Sequence, residues 1–322
     1  MEGCLRPSSA IPQFPCECCG GTEYSLVSVK RGWKLWGCRN CEVIFVWPQP
    51  SIQQMAAIYN QAAGYFATGE QDLSETSPFA AVHLHQQLQS LGIKGGRLLD
   101  VGCALGSFIY HMQKLGWEVE GIDINADAVK VARQNHLSAH IEEIQTSNFP
   151  SGSFDVIRMG DVIEHGRSPR QMLVAARYLL KSGGLLVIRT PNAKSSFATA
   201  TLSMAKFLRF PWPHSEAPYH LYEFTPKALT LAVTSMGFEV VRLDISGRVY
   251  FLYKIGASGF FDQLKIELKR NGKYKVRWKL FPNLPKLVAV AGLLLPFYIY
   301  ALFMDQLKGT GDNLFLVARV LK

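Results

Sequence analysis

Residues 97–112, RLLDVGCALGSFIYHM, pass from an apolar, strand-like stretch into an acid, then a turn of glycine, small residue and glycine, then an amphipathic segment. A strand, a glycine turn and a helix in direct succession open a strand–helix–strand unit. The alternation continues through EVEGIDI, ADAVKVARQNH, FDVIRMG, PRQMLVAARYLL, GLLVIRTPN, PKALTLAVTSMG and FEVVRLDI. This order predicts an α/β fold, a doubly wound and mostly parallel sheet with helices on both faces. Ligands of that architecture bind beyond the carboxyl ends of the strands, which puts the turn after residue 100 in the crevice.

The turn also limits the ligand. A dinucleotide fingerprint needs glycines at 102, 104 and 107, whereas the chain has Gly102, Ala104 and Ser107. As Asp-x-Gly-x-small-x-Gly, the stretch sets Asp100 at the end of the strand and Gly102 and Gly106 where a ligand approaches bare backbone. The next strand ends in Asp123 of GIDIN, whose carboxylate can accept both hydroxyls of a ribose. A nucleoside ligand without a pyrophosphate satisfies both features.

The N-terminal stretch MEGCLRPSSAIPQF lacks the positive start and apolar core of a secretory signal, so a cytoplasmic, reducing location is expected and disulfides are not. Cys16-x-x-Cys19 and Cys38-x-x-Cys41, separated by 18 residues, have zinc-ribbon spacing. Two tight knuckles would bring four thiolates onto one structural Zn²⁺, with Cys18 able to replace Cys16 or Cys19. Four thiolates leave no open coordination position, so the metal folds the module and does no chemistry.

LLDVGCALGSF, GIDIN, GSFDVIRMGDVIEH, LLKSGGLLVIRTPN and HLYEFTPKALTLAVTSMGF occur in that order. Together they resemble the class I S-adenosylmethionine-dependent methyltransferases, in particular the ubiquinone-biosynthesis-like branch and its relatives with an N-terminal zinc ribbon. The resemblance covers about residues 95–245. It implies a seven-stranded Rossmann-like sheet closed by NLFLVARVL as an antiparallel last strand. It also implies Asp100, Gly102 and Gly106 around the methionine part of the donor, Asp123 on its ribose, and Cys103, Ala104, Ile124 and Gly160 in the same cofactor site. Relatives set an acidic loop against adenine; IEEIQTSNF supplies Glu142 and Glu143 there, without the usual Asp.

A sulfonium methyl is already activated, so the protein's work is to align a nucleophile with it and to remove a proton when that nucleophile is a hydroxyl. His165 in DVIEH and His220 in PYHLYEF both fall at the carboxyl edge of the sheet, where an imidazole can accept a proton near neutral pH. They are the candidate catalytic bases, with loop-fixing hydrogen bonds as the competing role. Cys103 reads as a small spacer, and Pro191 and Asn192 as residues that shape a loop. His83, His85, His111, His136 and His140 read as surface or packing residues.

The formal charge of +9 is local. Residues 254–286 hold nine Lys or Arg against two acids, an excess of seven, and Asn271-Gly272 within them marks a hairpin turn. A helix through Phe260, Phe261, Leu264 and Leu268 competes for its first half. The run Leu287–Met304 follows, 18 uncharged and largely apolar residues interrupted by Gly292 and Pro296. If NLFLVARVL and FEVVRLDI share one sheet, both ends of this insertion stay on one side of a bilayer, so the expectation is a monotopic contact with an anionic membrane surface. A helix buried in the protein or a dimer interface competes with it.

The expected organisation is a zinc-ribbon module (1–50), a helical connector or lid (51–94), the donor-binding domain (95–253), a basic and apolar insertion (254–311) and a closing strand (312–322). The expected activity is O-methylation of a lipid-linked glycan, polyprenyl or quinone-like acceptor. An RNA methyltransferase using ribbon and hairpin is the alternative enzyme, with nucleic acid the weaker partner expectation. A donor-fold scaffold without turnover is the non-enzymatic alternative.

Overall fold

The computed structural model describes residues 11–55, 73–246, 292, 295–301, 303–305, 307 and 311–321. The basic hairpin expected around Asn271-Gly272 lies outside them. Two compact units emerge, one of residues 1–191, 216–244 and 314–322, the other of residues 192–215 and 245–313.

The first unit contains both sheets. Strands β1 (Tyr24–Lys30) and β2 (Trp33–Cys38) form a hairpin across Arg31 and Gly32, both at positive φ, as a two-residue turn matched to strand twist demands. β3 (Ile44–Val46) pairs with β2. Helix α1 (Phe79–Ser90) then precedes β4 (Arg97–Val101), α2 (Ser107–Lys114), β5 (Glu118–Asp123), α3 (Ala126–Gln134), β6 (Ala139–Ile141) and β7 (Phe154–Gly160). Next come α4 (Pro169–Leu179), β8 (Leu180–Pro191), β9 (Tyr222–Glu223), α6 (Pro226–Ser235), β10 (Phe238–Ser246) and β11 (Asn313–Val320). Helix α5 (Ser196–Leu208) belongs to the second unit.

The large sheet has the order β10-β11-β8-β7-β4-β5-β6, with β4, β5, β6, β7 and β8 joined by parallel pairs. Leu98, Leu99, Val156, Ile157 and Leu185–Ile188 are buried, as expected of parallel strands covered on both faces. The chain builds β4, β5 and β6 outward in one direction, then returns to place β7 on the other side of β4. The crevice therefore opens at the carboxyl ends of β4 and β7, where the strand order reverses. The last strand, β11, lies between β8 and β10, so NLFLVARVL and FEVVRLDI do share one sheet.

Local sequence explains where the helices start. Asn125 caps α3, Ser168 caps α4 ahead of Pro169, and Thr225 caps α6 ahead of Pro226; each side chain accepts a backbone N–H of the first turn. The four-stranded sheet runs β1-β2-β3-β9, so the cysteine-bearing hairpin continues into a strand that lies far along the chain. Ser168 Oγ donates to Glu17 Oε2 at 2.6 Å, and Thr225 Oγ1 donates to the Cys41 carbonyl at 3.3 Å, which ties both knuckles to the caps of α4 and α6.

In the second unit, Phe197 of α5 and Ala301 are fully buried and Phe297 and Tyr298 pack on them. The apolar run is helical at each of its described residues from 295 to 304. Leu295, Ile299, Tyr300, Phe303 and Leu307 are exposed, as are Phe207, Leu208 and Phe210 at the end of α5. Among the described residues no helix is long and apolar enough to cross a membrane.

Candidate functional site

Asp100, next to last in β4, is fully buried and directly opposite Arg158 of β7 in the parallel register. Arg158 Nη1 donates to Asp100 Oδ1 at 2.5 Å, and its guanidinium lies 4.0 Å from the centre of the Phe108 ring. Burial pushes the Asp100 carboxyl up and Arg158 pulls it back. Oδ2, also buried, has no hydrogen-bond partner. A buried carboxylate oxygen left unmatched is costly, so this atom marks a place where a ligand donor, such as an ammonium group, is wanted.

Asp123 ends β5 beside it. Its Oδ2 accepts from the Ala104 amide at 2.9 Å and its Oδ1 from the Asn125 amide at 2.8 Å. Each oxygen keeps a second lone pair, so the carboxylate can still accept two hydroxyls while it holds the glycine turn closed. Ile124 is 64% exposed next to it, an apolar surface at the mouth of the crevice.

The turn glycines separate by cause. Gly102, Ala104 and Gly106 all have positive φ. A Cβ on Gly106 would strike Leu137 and Ala132, so helix packing and backbone shape alone already require a glycine at this position. A Cβ on Gly102 would strike Val162, which sets the loop after β7 against the glycine turn. At Gly160 it would strike Arg158, and Cys103 fills the space that Gly121 leaves empty in β5.

The loop after β7 carries a second constellation. Leu221 and Tyr222 amides donate to the Glu164 carbonyl at 2.8 and 3.0 Å, which brings His220 to His165, ring centres 4.7 Å apart and nearly perpendicular. Ligand atoms of Glu164, His165 and His220 all lie within 4.8 Å of one another. Thr190 Oγ1 donates to Glu164 Oε2 at 3.0 Å, and the Tyr219 carbonyl lies 2.9 Å from His165 Nδ1. Glu216 and Glu223 carboxylates stand 3.6 and 3.9 Å from the two nitrogens of His220.

Charge separates the histidines. Burial, reinforced by His220, lowers His165 to about 4. Burial also opposes charge on His220, yet Glu223, Glu216 and Glu164 outweigh it and hold it at about 9. Burial raises Glu164 to about 7. Near neutral pH, His165 is therefore the unprotonated imidazole of the pair. Asn192 shapes its loop as expected, donating to the Gly311 carbonyl at 2.9 Å and accepting from the Lys194 amide at 2.9 Å.

The thiols of Cys16, Cys19, Cys38 and Cys41 converge, with the Cys16–Cys41 and Cys19–Cys38 sulfurs each 3.6 Å apart and all four within 4.8 Å. Four thiolates at about 2.3 Å from a tetrahedral zinc stand about 3.8 Å from one another, so this set can hold the ion. Cys18 is buried but stands outside the group of four.

Arg158 and Thr190 were not singled out in the sequence, whereas Glu164 was read with His165 as a residue that fixes the loop through hydrogen bonds. The signal for Arg158 was a lone cation inside an otherwise apolar parallel strand, which must meet a carboxylate. Thr190 carried no such signal, since its partner lies across two loops.

Residues 75–243, just over half of the chain, match the family model described as a methyltransferase domain. A ubiquinone biosynthesis O-methyltransferase of Xanthomonas oryzae pv. oryzae (strain PXO99A) is 30% identical over 211 residues, which span 63% of this chain and 84% of that protein. A protein of the same name from Glaesserella parasuis serovar 5 (strain SH0165) is 38% identical over 112 residues, 31% of this chain and 48% of that one. The crystal structure of the [4+2]-cyclase SpnF matches in fold with a TM-score of 0.53 at 17% identity, covering 85% of this chain and 98% of SpnF. With the strand order in place as well, the chain belongs to the methyltransferase-domain family and is a class I S-adenosylmethionine-dependent methyltransferase.

Proposed function

We propose that the enzyme methylates an oxygen of a lipid-linked or other small-molecule acceptor, of the polyprenyl, glycan or quinone-like kind, as a cytoplasmic protein held peripherally at a membrane. The observation that carries the acceptor class is the 30% identity to ubiquinone biosynthesis O-methyltransferases over 84% of their length. The exposed apolar face of Leu295, Ile299, Phe303 and Leu307, with the seven-charge excess of residues 254–286 before it in sequence, supports the membrane.

In this reading Asp100 Oδ2 takes the donor's ammonium group, Asp123 its ribose hydroxyls and Ile124 a face of its adenine. Gly102, Cys103, Ala104, Gly106 and Gly160 shape the backbone around it. S-adenosylmethionine supplies a methyl group already activated on sulfur. The acceptor oxygen forms its bond to that carbon as the carbon–sulfur bond breaks, the sulfur leaves as a neutral thioether, and the hydroxyl proton must go elsewhere. The Glu164, His165 and His220 cluster is assigned that task, because Val162 seats its loop on the donor turn. In the cation-free protein His165 is the imidazole able to take the proton; His220 already holds one. Cys16, Cys19, Cys38 and Cys41 bind one structural zinc ion.

Donor labelled on the methyl group, incubated with lipid, soluble-glycan and RNA fractions, tests the acceptor. Label is expected in the lipid fraction as an alkali-stable methyl ether. Label confined to RNA, or methyl groups found on carbon, would replace this reading.

A further inference from the structure

We propose that the cysteine ribbon is a positioning element for the acceptor-side loops: Glu17, Gln49 and Arg167 tie the loop after β7 to the sheet that carries β9, and these ties set the spacing of His165 and His220. The proposal rests on the functional reading above only in assigning the two histidines to the acceptor.

His165 and His220 come from different loops, one after β7 and one before β9, and neither loop has a helix or strand of its own. Segments of this kind move unless something ties them down. β9 begins two residues after His220, and its only ladder partner among the described residues is β3 of the ribbon. The Val46 amide donates to the Leu221 carbonyl at 2.9 Å, which carries that pairing toward His220. A strand of two residues does not hold itself, so the ribbon fixes where His220 stands.

Side chains tie the loop after β7 to the same sheet. Glu17, between Cys16 and Cys18 in the first knuckle, accepts from Ser168 Oγ at 2.6 Å and from the Arg170 amide at 3.3 Å. Arg167 Nη1 donates to the Pro50 carbonyl at 2.6 Å. Gln49 Nε2 donates to the Arg167 carbonyl at 2.9 Å and to Tyr222 Oη at 3.4 Å, and that hydroxyl donates to the same carbonyl at 3.4 Å. Gln49 of the ribbon, Arg167 of the β7 loop and Tyr222 of β9 thus close a triangle, with the Tyr222 ring stacked on Phe45 of β3. The Glu164 carbonyl receives the Leu221 and Tyr222 amides, so the short segment bearing His165 is fixed at both ends from this junction. A misplacement of about 1 Å caused far from the chemistry can cost about 100-fold in rate, so the ribbon serves turnover without touching substrate.

The test is nuclear magnetic resonance of zinc-loaded full-length protein with labelled histidine side chains, well below its melting temperature. The cross-peak between ring protons of His165 and His220, whose ring centres lie 4.7 Å apart, reads their spacing directly. The triple variant Glu17→Ala, Gln49→Ala, Arg167→Ala keeps the four zinc thiols and the β3–β9 ladder. It should lose most of the cross-peak, and its Leu221 and Tyr222 amides should exchange at least about tenfold faster, while the amides of β4 and β5 keep their wild-type rates. Glu17→Gln, whose amide oxygen still accepts from Ser168, should keep the wild-type spectrum. Gln49→Ala alone removes one corner of the triangle and should show the same changes in smaller measure; it decides the matter if the triple variant does not fold. S-adenosylhomocysteine affinity, by calorimetry, and zinc content should be unchanged in every folded variant. A wild type without the cross-peak, or an undiminished cross-peak in the folded, zinc-loaded variants, overturns the proposal and leaves the methyltransferase reading intact. Failure of S-adenosylhomocysteine to bind the wild type would strike the donor-site reading instead.

Discussion

Replacing Arg158 by Met removes the only charge that pairs with Asp100 among the described residues while keeping the length and much of the packing of the side chain. Asp100 is completely buried, so its ionised form would then lie unpaired in a low dielectric. Breaking one side of a buried ion pair costs about 3 to 5 kcal/mol, and loss of the guanidinium over Phe108 adds roughly 0.5 to 1 kcal/mol. The carboxyl can escape by holding a proton. Burial already raises it, and without Arg158 it rises further. An acid whose folded pKa lies above its unfolded value has full stability below the unfolded value, near about 4, and loses it as pH rises through the folded one. The difference between Arg158→Met and wild type should therefore be small near pH 4 and grow toward neutrality. Urea unfolding of both proteins at matched pH values measures it, and Asp100→Asn combined with Arg158→Met should recover most of the loss at pH 7. A penalty below about 1 kcal/mol at pH 7, or one that does not change with pH, would refute the reasoning.

Gly106→Ala must hold a Cβ at φ +88° and push it into Leu137 and Ala132, so it should cost about 2 to 4 kcal/mol in urea unfolding. The purified protein should carry one zinc per chain by elemental analysis. Because β3 pairs with β9 and the knuckles are tied to the caps of α4 and α6, chelation should lower the melting temperature of the first unit in one step. The protein should co-sediment with anionic vesicles. Ile299→Ser with Phe303→Ser, and separately charge reversal at Lys273, Lys275, Arg277 and Lys279, should each weaken this by at least about tenfold, and salt should relieve only the second contribution.

The features legible in the sequence were those with a local cause. β4, β5, β7 and β8 each centre on a short apolar stretch between helical segments, and Asp100 and Asp123 stand at or next to the ends of β4 and β5, so the alternation of elements put both acids at one edge of the sheet. β6 escaped because three edge residues make no periodic signal. β9 is only two residues long, and its partner β3 lies almost the whole donor-binding domain away in sequence; the joining of the ribbon to that domain was illegible for that reason. Asp123 was read as a candidate ribose ligand from its place at a strand end; that it also clasps the glycine turn was not legible, since the Ala104 amide reaches it only once the turn has folded. Gly106 was read as making room for ligand; the packing of Leu137 and Ala132 against it, a second reason for its small size, comes from elements that the local sequence does not show together. His165 and His220 were found separately; what joins them, backbone bonds from residues 221 and 222 to Glu164, leaves no trace in side-chain identity.

Calorimetric titration of S-adenosylhomocysteine into wild type and Asp123→Asn tests the account at its centre. Asparagine keeps the shape but exchanges one accepting oxygen for a donor, so it loses a ribose hydroxyl and faces one of the two turn amides with a second N–H. Loss of a charge-assisted hydrogen bond of this kind is worth about 1.5 to 3 kcal/mol, or about 10- to 150-fold in affinity. The account predicts a loss in that range, with the far-ultraviolet circular dichroism of the wild type retained. Equal affinity in the two proteins would mean that the carboxylate at the end of β5 does not hold the donor, and the site would have to be sought elsewhere on the sheet.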